Sequence, residues 1–248
     1  MGTWRPTEPA GEKRRTFEQV LDRIRQAIRA GDLRPGDRLP PERELAEALN
    51  VGRTSVREAI RVLEALDIVQ VRVGSGPEQG VTIRSSPGDQ LAQLIDMWMS
   101  LEHVGLREVV QFREAVEGWS CGVVARDYGT QDVDEKVIGE LSEITEEMQE
   151  VSSKEAYLEL DATFHIQIVE ATGNRLAGMV ATALRGSMRG YMLAAFKEID
   201  NWDQERNRLT QEHINLLELI RDRRSEDAQQ ASVAHVRCFY QRWLSVEI

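Results

Sequence analysis

The stretch Leu39 to Leu66, LPPERELAEALNVGRTSVREAIRVLEAL, decides the fold. Apolar residues recur at helical spacing on both sides of Asn50-Val51-Gly52: Leu45, Ala46 and Leu49 before it, Val56, Ile60, Leu63 and Leu66 after it. This spacing predicts two short helices, 42–49 and 54–66, joined by a tight turn. The second carries Arg53, Arg57 and Arg61 at four-residue spacing, which sets three guanidinium groups along one helical face. Such a helix can enter a DNA major groove, where arginine pairs bidentately with guanine and with backbone phosphate. Arginines at this spacing are by themselves more often a solvated face, so the flanking segments carry the argument.

Before this stretch, Val20, Leu21, Ile24, Ala27 and Ile28 mark an amphipathic helix over 17–30, closed by Gly31-Asp32 and followed by the turn Arg34-Pro35-Gly36-Asp37. After it come the β-branched run Ile68–Val73, a glycine-rich loop over 74–80 and Val81-Thr82-Ile83, which together read as a hairpin. Three helices followed by a two-stranded wing make a winged helix-turn-helix. In that frame Arg53, Thr54, Ser55 and Arg57 are expected at base edges and nearby phosphates. Arg43 is expected at the DNA backbone or a base, and Arg72 at a phosphate. Arg61 sits a turn too far along to read bases. Gly74 and Gly76, having no side chains, would let the wing tip approach the minor groove. Residues 1–13, with Gly2, Pro6, Pro9 and Gly11, form an N-terminal arm.

Ser85-Ser86-Pro87-Gly88 has the composition of a linker. Helical patterns then run over about 89–102, 106–127, 132–150, 154–171, 175–198, 202–223 and 226–246, with Asp132, Asn201 and Ser225 as caps and Gly173-Asn174 as a break. The fold class is therefore mainly α: a winged helix-turn-helix domain at 1–86 joined to an all-α bundle of about seven helices at 87–248. Charge separates the two. The chain carries a net charge of −11, yet residues 1–86 hold 15 Lys+Arg against 13 Asp+Glu, while residues 87–248 hold 16 against 29. The front part suits a polyanion and the rear part repels it. The acidic run from Asp132 to Glu150 reads as a solvated helix face. No window carries 18 uncharged apolar residues, and the N-terminus lacks the apolar core of a secretory signal, so a cytoplasmic protein without a membrane partner is expected. Two cysteines, Cys121 and Cys238, make neither a disulfide framework nor a metal pair and read as small buried hydrophobes.

Four histidines stand in the chain: His103, His165, His213 and His235. Asp161 and His165 are i and i+4 on one helix, so their side chains can converge on one ion. His213 and His235 lie mid-helix on two further helices. Were all four to point into the bundle core, they would form an N3O site for a divalent transition metal. Each histidine alone is more often an ordinary core or surface residue, and the sequence leaves open whether the three meet. Trp98, Trp119, Tyr191, Phe196, Trp202, Tyr240 and Trp243 are candidates for a pocket lining, with packing as the commoner role of any one.

LPPERELAEALNVGRTSVREAIRVLEALDIVQV resembles the signature of GntR-type bacterial transcription regulators, a Leu-Pro-x-Glu-Arg-Glu-Leu-Ala opening followed by an Arg-Thr-x-Val-Arg-Glu-Ala recognition helix. Pro41 and Gly52 depart from the serines usual at those positions, and the wing VGSGPEQGVTI departs from the usual short form. Residues 87–248 resemble the FCD-type domain of the FadR subfamily, in its seven-helix form. Asp161-x-x-x-His165 followed by Gly173-Asn174 is similar to that family's motif, and His213 and His235 fall at its other two metal positions. The resemblance thus implies a metal on Asp161, His165, His213 and His235, zinc first, with nickel or manganese as alternatives. Arg113 and Glu117 match an Arg-x-x-x-Glu pair on the first long helix and are the candidate ligand-binding residues, since arginine grips a carboxylate with two parallel hydrogen bonds. Within an i,i+4 helical pair they could equally hold each other. Gly118 and Gly122, poor helix formers, would let a neighbouring helix or a ligand approach closely. His103 matches no motif.

What the resemblance implies is a homodimeric regulator that reads a pseudo-palindromic double-stranded operator and is released from it by a small organic acid. The alternatives are the same regulator with a purely structural metal, and a metalloenzyme with an accessory DNA-binding-like module, for which three histidines and an aspartate could activate water. The sequence offers no dedicated general base beside them, which favours a non-enzyme.

Overall fold

The structure is a computed structural model that describes residues 16–74, 79–84, 90–130, 133 and 135–245. Gly76, the linker, the cap position Asp132 and the N-terminal arm lie outside the described residues. The chain divides into two compact units, Met1–Gln90 and Leu91–Ile248.

In the first unit, helices α1 (Thr16–Ala30), α2 (Glu42–Leu49) and α3 (Arg53–Ala65) precede strands β1 (Val69–Arg72) and β2 (Gly80–Ile83). The strands pair antiparallel, Val69 opposite Ile83 and Arg72 opposite Gly80. The inward faces of the helices and strands supply one core, with Val20, Ile24, Leu45, Val56 and Val69 fully buried. The α2–α3 turn is set by Asn50, which takes the left-handed conformation (φ 52°) that asparagine tolerates better than most residues. Its backbone N–H closes the last turn of α2. Gly52 then starts α3 without a side-chain cap, as expected of glycine. The turn after α1 has a second role that its composition did not show. Leu39 N donates to Val81 O at 2.8 Å and Ile83 N to Asp37 O at 2.8 Å, so the segment after the turn lies along β2 as a short third partner of the wing.

The second unit holds α4 (Gln90–Ser100), α5 (Leu106–Asp127), α6 (Glu135–Glu150), α7 (Lys154–Ala171), α8 (Arg175–Lys197), α9 (Trp202–Arg221) and α10 (Ser225–Leu244). Helix α5 is central, packing against α7, α8, α9 and most extensively α10. Gly118 and Gly122 are the reason for that last contact. A Cβ on Gly118 would stand 2.7 Å from the Val233 side chain, and one on Gly122 3.4 Å from Ser225 O. It is thus a helix, α10, that these glycines admit. Gly173 (φ 71°) ends α7, and the Asn174 side chain caps α8 by accepting from Ala177 N. Asn201 caps α9 in the same way. Ser225 does not cap α10: it is the first helical residue, and its hydroxyl donates to Gly122 O at 2.7 Å.

On α6 the alternation of Ile138, Leu141, Ile144 and Met148 inward with Glu143, Glu146, Glu147 and Glu150 outward makes the acidic run a solvated face. Cys121 is buried but Cys238 is exposed, which corrects the reading of both as core residues. No helix among the described residues is long and apolar enough to cross a membrane.

Candidate functional site

Helices α7, α9 and α10 each send one or two side chains to a single point inside the second unit. Asp161, His165, His213 and His235 are all buried, and one ligand atom from each lies within 4.8 Å of the others. His165 Nε2 stands 3.2 Å from His213 Nε2 and 3.3 Å from His235 Nε2. Asp161 Oδ1 stands 3.2 Å from His213 Nε2 and 3.7 Å from His165 Nε2. Phe164 packs edge-on to His165 and His213 and closes one side.

The other ring nitrogen of each histidine is committed elsewhere. His165 Nδ1 lies 2.9 Å from Glu117 Oε2, His213 Nδ1 2.8 Å from Leu209 O, and His235 Nδ1 2.7 Å from Glu212 Oε2. A carbonyl and two ionised carboxylates can only accept, so in each neutral imidazole the proton sits on Nδ1 and Nε2 is a bare lone pair. Burial, followed by the charge of Arg185, pushes His165 down to about 3, and burial in the first place lowers His235. With Nδ1 as the donor in each ring, three Nε2 atoms and a carboxylate oxygen face one another. That arrangement is repulsive by itself and complementary to a cation. Three of these spacings, 3.2, 3.3 and 3.2 Å, also match the edges of about 3.0–3.4 Å that bonds of roughly 2.0–2.1 Å to a transition metal require. The donor set fits a divalent transition metal, and the Nδ1 partners are the outer contacts that fix ligand tautomers at such sites.

Beside this cluster lies a buried ionic network. Arg113 Nε donates to Glu117 Oε1 at 2.6 Å, and its other nitrogens reach Glu117 Oε2 and the Tyr240 hydroxyl. Arg185, on α8, donates to Asp161 and, at 3.1 Å, to Glu117. Burial opposes ionisation of Glu117 and Asp161, but the charge of Arg113 on Glu117 and of Arg185 on both, with hydrogen bonds from the neighbouring histidines, outweighs it and holds both carboxyls well below the usual carboxylate range. Two guanidinium groups thus balance two carboxylates, which makes the burial of all four tolerable.

Arg113, Asp161, Arg185 and His235 line a small cavity together with Tyr240 and five apolar side chains. Glu117, grouped with Arg113 from the sequence, does not line it. Glu117 instead holds both arginines and orients His165. Arg185 and Glu212 were not singled out from the sequence. Arg185 left a signal: it stands in the apolar stripe Ala181, Leu184, Met188 and Met192 of α8, where a charge needs a buried partner. Glu212 left none, since its role depends on how α9 meets α10. Of the aromatic candidates, Phe196 and Tyr240 line the cavity, Trp202 packs on Tyr157 and Phe196, and Trp98 and Trp119 are exposed. His103 is exposed at the turn after α4.

In the first unit, Arg53 and Thr54 stand exposed in the first turn of α3, and Ser55 is half-buried. Arg57 is held from α2: its Nε lies 3.2 Å from Glu42 Oε1 and its Nη2 2.8 Å from Glu42 Oε2. The Arg57 hydrogen bond, against some desolvation, lowers Glu42 below the usual range. Arg43 pairs with Glu47 on the same helix at 3.2 Å. Arg72 and Gly74 are exposed at the end of β1 and just beyond it.

Comparison with known proteins assigns both units. The pattern described as "Bacterial regulatory proteins, gntR family" matches residues 16–78, and the FCD domain pattern matches residues 108–237. The chain is similar to the HTH-type transcriptional repressor NanR of Klebsiella aerogenes, 27% identical over 93% of this chain and 86% of that protein. It is also similar to the Exu regulon transcriptional regulator of Escherichia coli, 35% identical over 66% of this chain and 59% of that one. Among solved structures, Streptococcus agalactiae GntR shares the fold with a TM-score of 0.64 at 23% identity, covering 90% of this chain and 98% of that one.

Proposed function

The chain belongs to the GntR family of bacterial regulatory proteins, in the branch carrying a FadR-like FCD domain, and on that premise we propose that it is a repressor that leaves its operator when a small carboxylate binds the second unit. Its family and relatives are transcription regulators, so the rival reading as a metalloenzyme falls. The observation that carries the proposal is the meeting of three imidazole nitrogens and Asp161 beside a cavity that two buried arginines also line. A site built of cations and cation ligands is suited to an anion.

Asp161, His165, His213 and His235 would hold the metal, zinc first, with nickel or manganese as alternatives. When bound, the metal would supply a Lewis-acidic positive charge beside the buried arginines. Arg113 and Arg185 orient a carboxylate there, while the surrounding side chains exclude water and strengthen the attraction. Such a ligand changes operator affinity only by its differential affinity for the DNA-competent and DNA-incompetent states.

On the DNA side, Arg53, Thr54, Ser55 and Arg57 read bases and nearby phosphates, Arg43 and Arg72 contact the backbone, and the wing tip at Gly74 and Gly76 approaches the minor groove. A homodimer presents two such helices to a pseudo-palindromic operator in the cytoplasm. The exposed apolar row Leu94, Met97, Trp98 and Leu101 of α4 and the turn after it supports a second copy, because it is almost free of charge in an otherwise acidic unit.

The test uses a duplex selected by the purified protein from a randomised pool. Arg53→Ala should weaken its binding in fluorescence anisotropy by roughly ten-fold or more while leaving the metal content unchanged. His213→Ala should lower the metal retained after dialysis, read by elemental analysis. Unchanged DNA affinity in the first variant removes the recognition-helix assignment, and undiminished metal in the second removes the metal site.

A further inference from the structure

We infer that Arg208 is a positioning residue of the metal site: acting through Glu212, it holds the His235 ring in the orientation and tautomer in which Nε2 faces the other ligands. The inference rests on the reading of Asp161, His165, His213 and His235 as a metal site, and adds to it a residue that is not itself a ligand.

The three imidazoles are not held equally. His213 Nδ1 meets Leu209 O, a backbone carbonyl of its own helix that cannot turn away. His165 Nδ1 meets Glu117, which is 3% exposed and takes hydrogen bonds from Arg113 and Arg185. His235 Nδ1 meets Glu212, whose side chain is 32% exposed. A glutamate with water at hand has other rotamers and other donors open to it, so holding it in one geometry costs entropy that a partner must offset.

Arg208 is that partner. Its Nη1 donates to Glu212 Oε1, which leaves Oε2 for His235 at 2.7 Å. The guanidinium is fixed in turn from its other edge. Its Nε and Nη2 reach Glu205 Oε1 at 3.1 and 2.6 Å. Glu205 is 5% exposed and also accepts from Trp243 Nε1, on α10, at 2.9 Å. Constraint thus passes from a buried carboxylate, through a planar fork that stays charged, to a part-exposed carboxylate and then to the imidazole. His235 and Trp243, about two turns apart on α10, are both tied to α9, and Arg208 bonds both of their acceptors.

A mere staple between α9 and α10 would add stability and leave metal affinity alone. Positioning acts on the ring. Without Arg208, Glu212 turns to water and the His235 Nδ1–H loses its fixed acceptor. The Nε2–H tautomer then gains population, and that form has no Nε2 lone pair for a metal.

The experiment measures zinc affinity of the full chain by competition with a chelator of known strength. It also follows the histidine tautomers of the metal-free chain, at mildly alkaline pH, by heteronuclear NMR of the imidazole nitrogens. Arg208→Met, which keeps the length and loses the fork, should lower zinc affinity about ten-fold. Arg208→Lys, whose single ammonium cannot serve both carboxylates in one plane, should lower it about three-fold. In both variants the Nε2–H form should grow at His235 and not at His165 or His213. Trp243→Phe removes the other tether and leaves Arg208 on Glu205, so it should lower the denaturant midpoint and change zinc affinity by less than about two-fold. Unchanged zinc affinity in the Arg208 variants overturns the inference and leaves the metal reading standing. So does a fall in affinity without a tautomer shift at His235, or with an equal shift at all three histidines, or with an equal fall in Trp243→Phe. Should Arg208→Met fail to fold by circular dichroism, Arg208→Lys decides on the same terms. A wild-type chain that binds no zinc overturns the metal reading and the inference together.

Discussion

His165 Nδ1 lies 2.9 Å from Glu117 Oε2, and the two residues come from different helices, α7 and α5. That contact, with the one from Arg185 to Asp161, ties the ionic network to the histidine cluster. Glu117 accepts from Arg113, Arg185 and His165 together, so one carboxylate fixes the position of both arginines and the tautomer of an imidazole. Glu117→Gln keeps the shape and removes the charge. Two buried guanidinium groups then share one carboxylate less, and the His165 Nδ1–H loses its charged acceptor. Metal affinity, read by competition with a chelator of known strength, should fall about 10- to 100-fold. Thermal stability should fall as well, because breaking a buried pair leaves an uncompensated charge. Unchanged metal affinity in Glu117→Gln would separate Glu117 from the metal centre.

The Arg57–Glu42 pair makes a different claim about DNA. Glu42 holds Arg57 by two hydrogen bonds across the helix-turn-helix, and it places a negative charge beside the recognition helix. Glu42→Gln removes that charge and loosens the fork. Binding to a random duplex should tighten, and the salt dependence of log K should steepen by about one unit as one more cation becomes available to phosphate. The ratio of selected to random duplex affinity should drop, since a less constrained Arg57 no longer arrives in one geometry. Anisotropy titrations across a salt series read both quantities. An unchanged ratio would show that Arg57 does not take part in discrimination.

Acid should destabilise the metal-free protein over a defined window. His165 has its ordinary value near 6.5 in the unfolded chain and about 3 in the fold. Between those values the unfolded state binds the proton and the folded state does not, so stability falls as pH falls. From pH 7.5 to 5.5 this one group removes about 1.4 kcal/mol. His235 acts in the same direction. The carboxylates do not contribute in this window: Glu117 and Asp161 are shifted downward, and their stabilisation is lost only below the unfolded carboxylate range. Urea unfolding in chelator at the two pH values measures the loss, and His165→Asn should reduce it. A pH-independent midpoint would contradict a buried neutral His165.

The residues that could be read from the sequence share a property: their roles follow from position along one element. Arg53 and Arg57 lie on one face by spacing alone, Asn201 caps because it precedes a helix, and Asp161 and His165 meet because they are i and i+4. The four ligands could be named, but their meeting could not be derived, because it depends on how α7, α9 and α10 cross. Glu212 shows this limit most clearly. It is the chain neighbour of His213 yet serves His235 on another helix. Arg185 was readable in principle, as a charge in an apolar stripe, but its partners Asp161 and Glu117 lie 24 and 68 residues away. The third strand-like segment after α1 was hidden for the opposite reason. A turn ending in polar residues carries no strand periodicity, and its pairing comes from backbone groups that every residue has.

Gly118 is where helix propensity and packing oppose each other. In an exposed helix, alanine for glycine gains about 0.8–1 kcal/mol, because glycine loses more backbone freedom on folding. At Gly118 the new Cβ would stand 2.7 Å from Val233 Cγ2 and 3.4 Å from Gln229 O. The valine methyl is confined by its branched Cβ and the carbonyl belongs to α10, so neither yields cheaply. Overpacking of this kind costs about 1–3 kcal/mol and outweighs the propensity gain. Gly118→Ala should therefore destabilise the chain, and adding Val233→Ala should recover part of the loss. Gly139 on α6 provides the internal control, since nothing lies within 4 Å of its Cβ position and Gly139→Ala should raise stability. If denaturant midpoints rise in both single variants, α10 does not pack on α5 as closely as the glycines require.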